Sequence, residues 1–179
     1  YTGKAWDTIL AMAKAIGATR PGVYKTTFKD EVESDLFGEQ VDLCGGVVWM
    51  VKNAFDTLIE AGYNPLLAYW EVSHELYGLI APLAYKYGNY GMLNRVSLTA
   101  RKGAVARGRF VMDASVKERM KQSLAKIQSG EFAEEWMKEY KENGFSKVNA
   151  ELEDLKKSDL ETVGLQTRKI MWPNNPEHL

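Results

Sequence analysis

Cysteine occurs only once in this 179-residue chain, at Cys44. A single cysteine excludes an internal disulfide, and chains without disulfides are typical of reducing compartments. We therefore predict a cytoplasmic protein. Because the neighbours of Cys44 are small or apolar, we expect it to be a buried core residue rather than a reactive thiol.

The sequence also lacks an excess of charge of one sign. Its formal net charge is -1, with 23 Lys and Arg residues against 24 Asp and Glu residues. Without an overall basic field, we predict that the protein binds no nucleic acid. The run ARKGAVARGR at 100–109 is locally basic and could attract a carboxylate or a phosphate, but we interpret most of it as a solvated loop.

Long hydrophobic runs and several well-known site motifs are absent as well. No segment approaches the roughly 18 consecutive apolar residues of a membrane span, so we predict no membrane association. Neither of the two glycine-rich nucleotide loops, G-x-G-x-x-G and G-x-x-x-x-G-K-[ST], occurs in the sequence. The motifs H-E-x-x-H and G-x-S-x-G are absent too. A recognisable nucleotide loop and the common hydrolytic motifs are therefore excluded for these residues.

Helical periodicity extends along most of the chain. Apolar residues recur at helical spacing at 6–16 and 47–59, and residues 66–86 are apolar on nearly every side. Ser115 with Glu118 and Ser158 with Glu161 form capping boxes before two further helices. We predict one all-α domain over 1–179, with an extended connector at 22–28 and the 66–86 helix buried in a bundle or a subunit interface.

Two pairs of carboxylates interrupt this pattern. Asp35 and Glu39 in SDLFGEQ are four residues apart, and Glu71 and Glu75 in YWEVSHELY repeat the spacing. On a helix such residues share a face, where like charges repel. The large apolar neighbours of the second pair leave it little polar surface, and a buried acid needs a partner. A cation such as Mg²⁺, which prefers oxygen ligands, would provide one.

A simpler interpretation of the four acids remains open. Most helical acids lie on solvated faces or pair with Lys or Arg, and spacing alone does not decide between that and a metal site. We interpret His74, which lies beside Glu75, as a hydrogen-bonded structural residue, because a lone histidine in an apolar helix is seldom a ligand.

Longer segments resemble a known family. The segments GKAWDTILAMAKAIGATRPGV, TTFKDEVESDLFGEQVDLCGG, EAGYNPLLAYWEVSHELYGLI and IQSGEFAEEW follow one another in the order and approximate spacing of the C-terminal domain of ketol-acid reductoisomerase. The match runs from Gly3 to about Trp136, and the rest, to Leu179, fits more loosely. The chain resembles the short-chain (class I) form, in which this part is a knotted helical domain that dimerises by interweaving helices.

The resemblance implies an enzyme of valine, leucine and isoleucine synthesis that acts on 2-acetolactate or 2-aceto-2-hydroxybutyrate. Such an enzyme uses two Mg²⁺ ions for an alkyl migration and NADPH for the reduction that follows. The implied metal ligands are Asp35, which would bridge both ions, Glu39, Glu71 and Glu75. Glu75 would also be the catalytic acid or base near the substrate, and Ser97 would hold the substrate carboxylate.

The resemblance also implies a site shared between chains. In a homodimer, or in a higher oligomer built from it, Asp35 and Glu39 of one chain would meet Glu71, Glu75 and Ser97 of the other. The family's N-terminal NADPH-binding Rossmann domain is not among these residues, so we expect no hydride transfer by this chain alone. Together with Tyr1 at the first position, this predicts a C-terminal domain separated from a longer protein.

Three departures from the family pattern follow Ser97. Leu98, Arg101 and Lys102 stand where the family usually has an asparagine, an acid and an aromatic residue. A second hypothesis therefore stays open, namely a non-catalytic helical dimerisation module that keeps the fold without the activity. The departures favour this module, whereas retention of all four acids favours the enzyme.

Overall fold

The computed structural model describes residues 2–174, and within that range the chain forms helices, turns and connectors but no strand. The predicted all-α class is confirmed. The chain divides into two compact units, with the boundary between Asp35 and Leu36, and each unit is described by itself. The single helical domain expected over 1–179 stays a prediction.

The first unit contains helix α1 (Ala5–Ala15) and most of helix α2 (Phe28–Gly38). No residue of α1 is buried, and its apolar stripe is exposed within this chain. Residues 22–27 adopt no regular secondary structure, which confirms the predicted connector except at Phe28, the first residue of α2. The Thr27 hydroxyl then accepts the Asp30 N–H at 3.0 Å and so satisfies an otherwise unpaired donor at the start of α2.

The second unit is a succession of helices that includes three short π-helices, in which each N–H bonds to the carbonyl five residues earlier. In chain order the elements are π1 (Glu39–Leu43), α3 (Gly45–Glu60), α4 (Pro65–Tyr69), π2 (Trp70–His74), π3 (Leu76–Ile80), α5 (Ala81–Leu93), α6 (Leu98–Val111), α7 (Ala114–Ser129), α8 (Glu131–Asn143), α9 (Ser146–Lys156) and α10 (Asp159–Met171). Helix α5 is interrupted at Gly88, whose φ is 69°.

The core of the second unit lies where α3, α4 and α10 meet. Its buried side chains are Val51, Phe55, Ala68, Tyr69 and Leu160. The Tyr69 ring packs directly on α10 because position 164 is a glycine: a Cβ there would lie 2.8 Å from Tyr69 Cε2. The absence of a side chain at 164 therefore sets how closely α4 and α10 approach.

One of the two predicted helix caps is confirmed and the other is wrong. Ser158 accepts the Glu161 N–H and caps α10 as expected. At α7 the cap is Asp113, whose carboxylate accepts the N–H groups of Ser115 at 2.9 Å and Val116 at 3.3 Å. Hydrogen bonds from the Ser115 hydroxyl and from these two N–H groups lower the pKa of the Asp113 carboxyl.

Three further sequence predictions are corrected. The basic run at 100–109 lies within helix α6 rather than in a loop. Cys44 is exposed in this chain and is not a core residue. Helix α9, which the sequence analysis did not predict, follows Phe145, and the Phe145 ring lies 5.2 Å from Trp136 and 5.0 Å from Tyr140, between ring centres.

A single lysine links two neighbouring helices at the surface. Lys126 of α7 contacts Glu131 at 2.8 Å and Glu135 at 2.9 Å, both on α8. The two carboxylates accept hydrogen bonds from the Lys126 ammonium and raise its pKa. Within residues 2–174, no helix combines the length and hydropathy that crossing a membrane requires.

Two leucines on neighbouring helices offer a matched test of this core. Leu160 is 5% exposed and Leu152 is 57% exposed. We expect Leu160→Ala to lower the free energy of unfolding by about 2 to 5 kcal/mol, because it leaves a cavity between α10 and α3. Leu152→Ala should change it by about 0.5 kcal/mol or less. Urea unfolding followed by circular dichroism measures both, and equal losses would contradict the placement of the core.

Candidate metal and substrate site

The first carboxylate pair falls on the two sides of the unit boundary. Asp35 is an exposed residue of α2 in the first unit. Glu39 is an exposed residue of the second unit and the first residue of π1, where its carbonyl accepts the Cys44 N–H at 3.1 Å. Each side chain is accessible to a ligand or to a partner.

The second pair lines one hollow of the second unit. Glu71 lies in π2, and Glu75 is the residue between π2 and π3. Both border a cavity of about 320 Å³ whose other lining residues are Met50, Val51, Ala54, Val72, Leu76 and Ile80.

The exposure of the second pair differs from the sequence prediction. We expected Glu71 and Glu75 to have little polar surface, but both are exposed in this chain. Their large neighbours Trp70 and Tyr77 are also partly outside, with 37% and 50% of their surface exposed. Val72 of π2 and Leu76 of π3 pack against the core, so the two acids lie on the side of these helices that faces away from it.

None of the four predicted ligands pairs with a basic side chain of the described residues. The ion pairs found between residues 2 and 174 involve other acids. In the same range, no group of three or more His, Cys, Asp or Glu side chains is arranged to hold a metal ion. The exposure of these acids agrees with the simpler interpretation, in which they lie on solvated faces.

The chemistry of the hollow fits a hard divalent cation. Glu71 and Glu75 offer carboxylate oxygens, which Mg²⁺ prefers. The other lining residues of the hollow are apolar, so no lysine or arginine among them competes for the two carboxylates.

Two polar groups lie close to this pair. The His74 ring is tilted against Trp70, with 4.1 Å between ring centres, and it does not line the hollow. Burial, the negative charge of Glu161 and the nearby Tyr69 raise the pKa of the Tyr77 phenol. Tyr77 therefore stays protonated at neutral pH and is a hydrogen-bond donor.

Ser97 occupies the N-terminus of α6. Its hydroxyl oxygen accepts the Ala100 N–H at 3.1 Å, so Ser97 is the cap of that helix. A serine hydroxyl has one donor in addition to its acceptor positions. The O–H of Ser97 can therefore donate to a substrate carboxylate while the cap stays in place.

Comparison with known proteins decides the family. A family model described as "Ketol-acid reductoisomerase, C-terminal domain" matches residues 28–172. The chain belongs to the ketol-acid reductoisomerase family. The matched range contains Asp35, Glu39, Glu71, Glu75 and Ser97.

Relatives and a solved structure agree with this assignment. The ketol-acid reductoisomerase (NADP(+)) of Nitrosopumilus maritimus is 52% identical over 99% of this chain and 53% of its own length. The enzyme of the same name from Cenarchaeum symbiosum is 52% identical over 98% of this chain and 53% of its own length. An NADH-preferring ketol-acid reductoisomerase from an uncultured archaeon superposes with a TM-score of 0.89 at 42% identity, covering 94% of this chain and 50% of that structure. The chain thus spans about half the length of the relatives it matches.

The departures after Ser97 have a structural explanation in one case. Arg101 Nε donates to the Leu93 carbonyl at 2.9 Å and so ties α6 to the end of α5. This bond closes the short connector that carries Ser97. An arginine in place of an acid therefore holds the connector, a role that sequence reasoning missed because the bond spans eight residues. Nothing in the structure explains Leu98 or Lys102.

Substitutions at Ser97 separate its two roles. We expect Ser97→Ala to lower the free energy of unfolding by about 1 kcal/mol because the cap is lost. Ser97→Asp keeps a capping oxygen, so it should retain stability, but its charge should repel a carboxylate substrate. Thermal unfolding and calorimetric titration with a 2-hydroxy-2-methyl-3-oxo acid measure the two effects. Unchanged substrate affinity in Ser97→Asp would contradict the substrate role.

Proposed function

We propose that this chain is the magnesium- and substrate-binding part of a ketol-acid reductoisomerase. The proposed substrates are 2-acetolactate and 2-aceto-2-hydroxybutyrate, and the reaction is an alkyl migration followed by reduction. The observation that carries the proposal is the hollow bordered by Glu71 and Glu75, inside the range matched by the family model. Among residues 2–174, neither acid forms an ion pair with a basic side chain.

The proposed roles follow the residue types. Asp35, Glu39 and Glu71 would hold the Mg²⁺ ions through their carboxylate oxygens, and Ser97 would donate to the substrate carboxylate. When bound, the two ions polarise the substrate carbonyl and stabilise the deprotonated hydroxyl. Glu75 would act as the base that accepts the proton of the substrate hydroxyl at one of its carboxylate oxygens. Alternatively, Glu75 would be a further metal ligand.

Reduction needs a hydride donor from outside residues 2–174, because this range contains no strand from which a nucleotide-binding sheet is built. We propose an N-terminal Rossmann domain that binds NADPH, since the archaeal relatives carry NADP(+) in their names. The solved relative is NADH-preferring, so NADH is the alternative donor. Under this proposal the single helical domain over 1–179 carries the metals and the substrate.

A second copy of this chain is the proposed partner. Large apolar side chains are exposed around the hollow and along the segment that leads from α4 to α5, namely Trp49, Leu66, Leu67, Trp70, Tyr77 and Leu79. A groove of about 780 Å³, also mainly apolar, lies beside them against α3 and α7. Obligate interfaces are apolar in this way. We propose an interwoven homodimer in which Asp35 and Glu39 of one chain reach Glu71, Glu75 and Ser97 of the other.

The proposed location is the cytoplasm. The exposed Cys44 would stay reduced in that compartment.

A magnesium titration tests the proposal. Calorimetry on the 179-residue chain should show saturable binding that Asp35→Asn and Glu71→Gln each abolish, because both remove a ligand that carries charge. Glu60→Gln is the control, since Glu60 is exposed at the end of α3 and lies outside the hollow.

Two outcomes would contradict the metal site. Equal binding by Glu60→Gln and Glu71→Gln would remove Glu71 from the ligands. Absence of binding by a folded dimer would favour the non-catalytic dimerisation module, which the substitutions at 98, 101 and 102 also favour.

A further inference from the structure

The three predicted metal ligands of the second unit lie in or next to its π-helices. Glu39 is the first residue of π1, Glu71 is the second residue of π2, and Glu75 joins π2 to π3. Fewer than roughly 1% of residues in soluble proteins are π-helical, and π-turns cluster at functional sites. Three such turns, each at a predicted ligand, therefore point to a device that aims the carboxylates.

At π1 this device has an identifiable support in the next two residues. A Cβ at Gly45 would lie 2.1 Å from the Gln40 carbonyl oxygen, and a Cβ at Gly46 would lie 2.0 Å from the Val41 carbonyl oxygen. Both obstacles are backbone atoms of π1, which cannot rotate away as a side chain can. The π-turn and the first turn of α3 therefore fit together only when positions 45 and 46 lack side chains.

The consequence concerns the direction of Glu39. A π-turn contains one more residue than an α-turn, so loss of π1 would change the rotation of Glu39 about the helix axis relative to α3. The register between Glu39 and α3 thus decides in which direction Glu39 leaves its own chain. In the proposed homodimer this direction determines whether Glu39 reaches the hollow bordered by Glu71 and Glu75 of the second copy.

We propose that Gly45 and Gly46 are positioning residues that keep the π-turn beginning at Glu39 in register with α3 and thereby aim the Glu39 carboxylate for metal binding. The metal-binding part of this inference rests on the proposed function. The register part stands on the backbone geometry alone. Amide hydrogen exchange measures the register part, and calorimetry measures the metal-binding part.

The test uses Gly45→Ala and Gly46→Ala in the 179-residue chain, with Gly108→Ala as the control. Gly108 lies inside α6, and a Cβ there would meet nothing within 4 Å. Hydrogen exchange of the amides at 44–46 measures the π-turn, whose Cys44 N–H bonds to the Glu39 carbonyl. Calorimetry measures magnesium affinity.

We expect faster exchange at 44–46 and a magnesium affinity lowered about 10- to 100-fold in both glycine variants, as for other residues that orient a ligand. Gly108→Ala should change neither quantity. Unchanged exchange at 44–46 would overturn the register part. Faster exchange with unchanged magnesium affinity would overturn the positioning role. If the unaltered chain binds no magnesium while exchange is faster in the variants, the register part stands and the proposed function fails.

A second variant covers the case in which the alanine substitutions prevent folding. Removal of Gln40 shortens π1 by one residue, so the chain can continue as an α-helix that tolerates alanine at 45 and 46. In that α-helix Glu39 keeps its bond to the Cys44 N–H and therefore its direction relative to α3. The deletion combined with both alanines should unfold cooperatively and bind magnesium with close to the unaltered affinity. A folded deletion variant whose magnesium affinity stays about 10-fold or more below that of the unaltered chain would overturn the proposal.

Discussion

The placement of two carboxylates on the border of one hollow is the constraint on which the proposed metal site depends. Glu71 and Glu75 face a largely apolar cavity, and no basic side chain of the described residues offsets their charge. Such an arrangement destabilises the unliganded chain slightly and becomes favourable when a divalent cation lies between the oxygens. The folded chain would therefore gain stability when a divalent cation binds at the proposed site.

Exposed apolar surface is the second feature that a single chain leaves uncompensated. The core formed by α3, α4 and α10 is small, while many large side chains elsewhere remain exposed. A chain of this length normally buries about two thirds of its surface. The proposed second copy would cover part of this apolar surface and supply the acids that complete the metal site. Under this proposal, the metal site forms only when the dimer interface forms.

Sequence reasoning predicted the helical class and the family, because helical periodicity and the order of the motifs can be read from the sequence. The site residues that it named, Asp35, Glu39, Glu71, Glu75 and Ser97, stay predictions. It could not predict the exposure of Glu71 and Glu75, since that depends on what packs over π2 and π3. It missed the π-turns because no residue type marks them, and the extra residue shifts the helical phase at a single point of the pattern. It assigned the α7 cap to Ser115 rather than Asp113, two residues earlier, because both residue types are good caps and only the backbone geometry decides between them.

The measurement that tests the central claim most directly is complementation between two inactive chains. One chain carries Asp35→Asn with Glu39→Gln, the other carries Glu71→Gln with Glu75→Gln, and each alone should bind no magnesium. When the two are co-expressed with different affinity tags and purified as a mixed dimer, one of the two shared sites regains every ligand. Binding restored to half of the unaltered stoichiometry is the predicted result. No restoration in a correctly formed mixed dimer would contradict a site built from two chains.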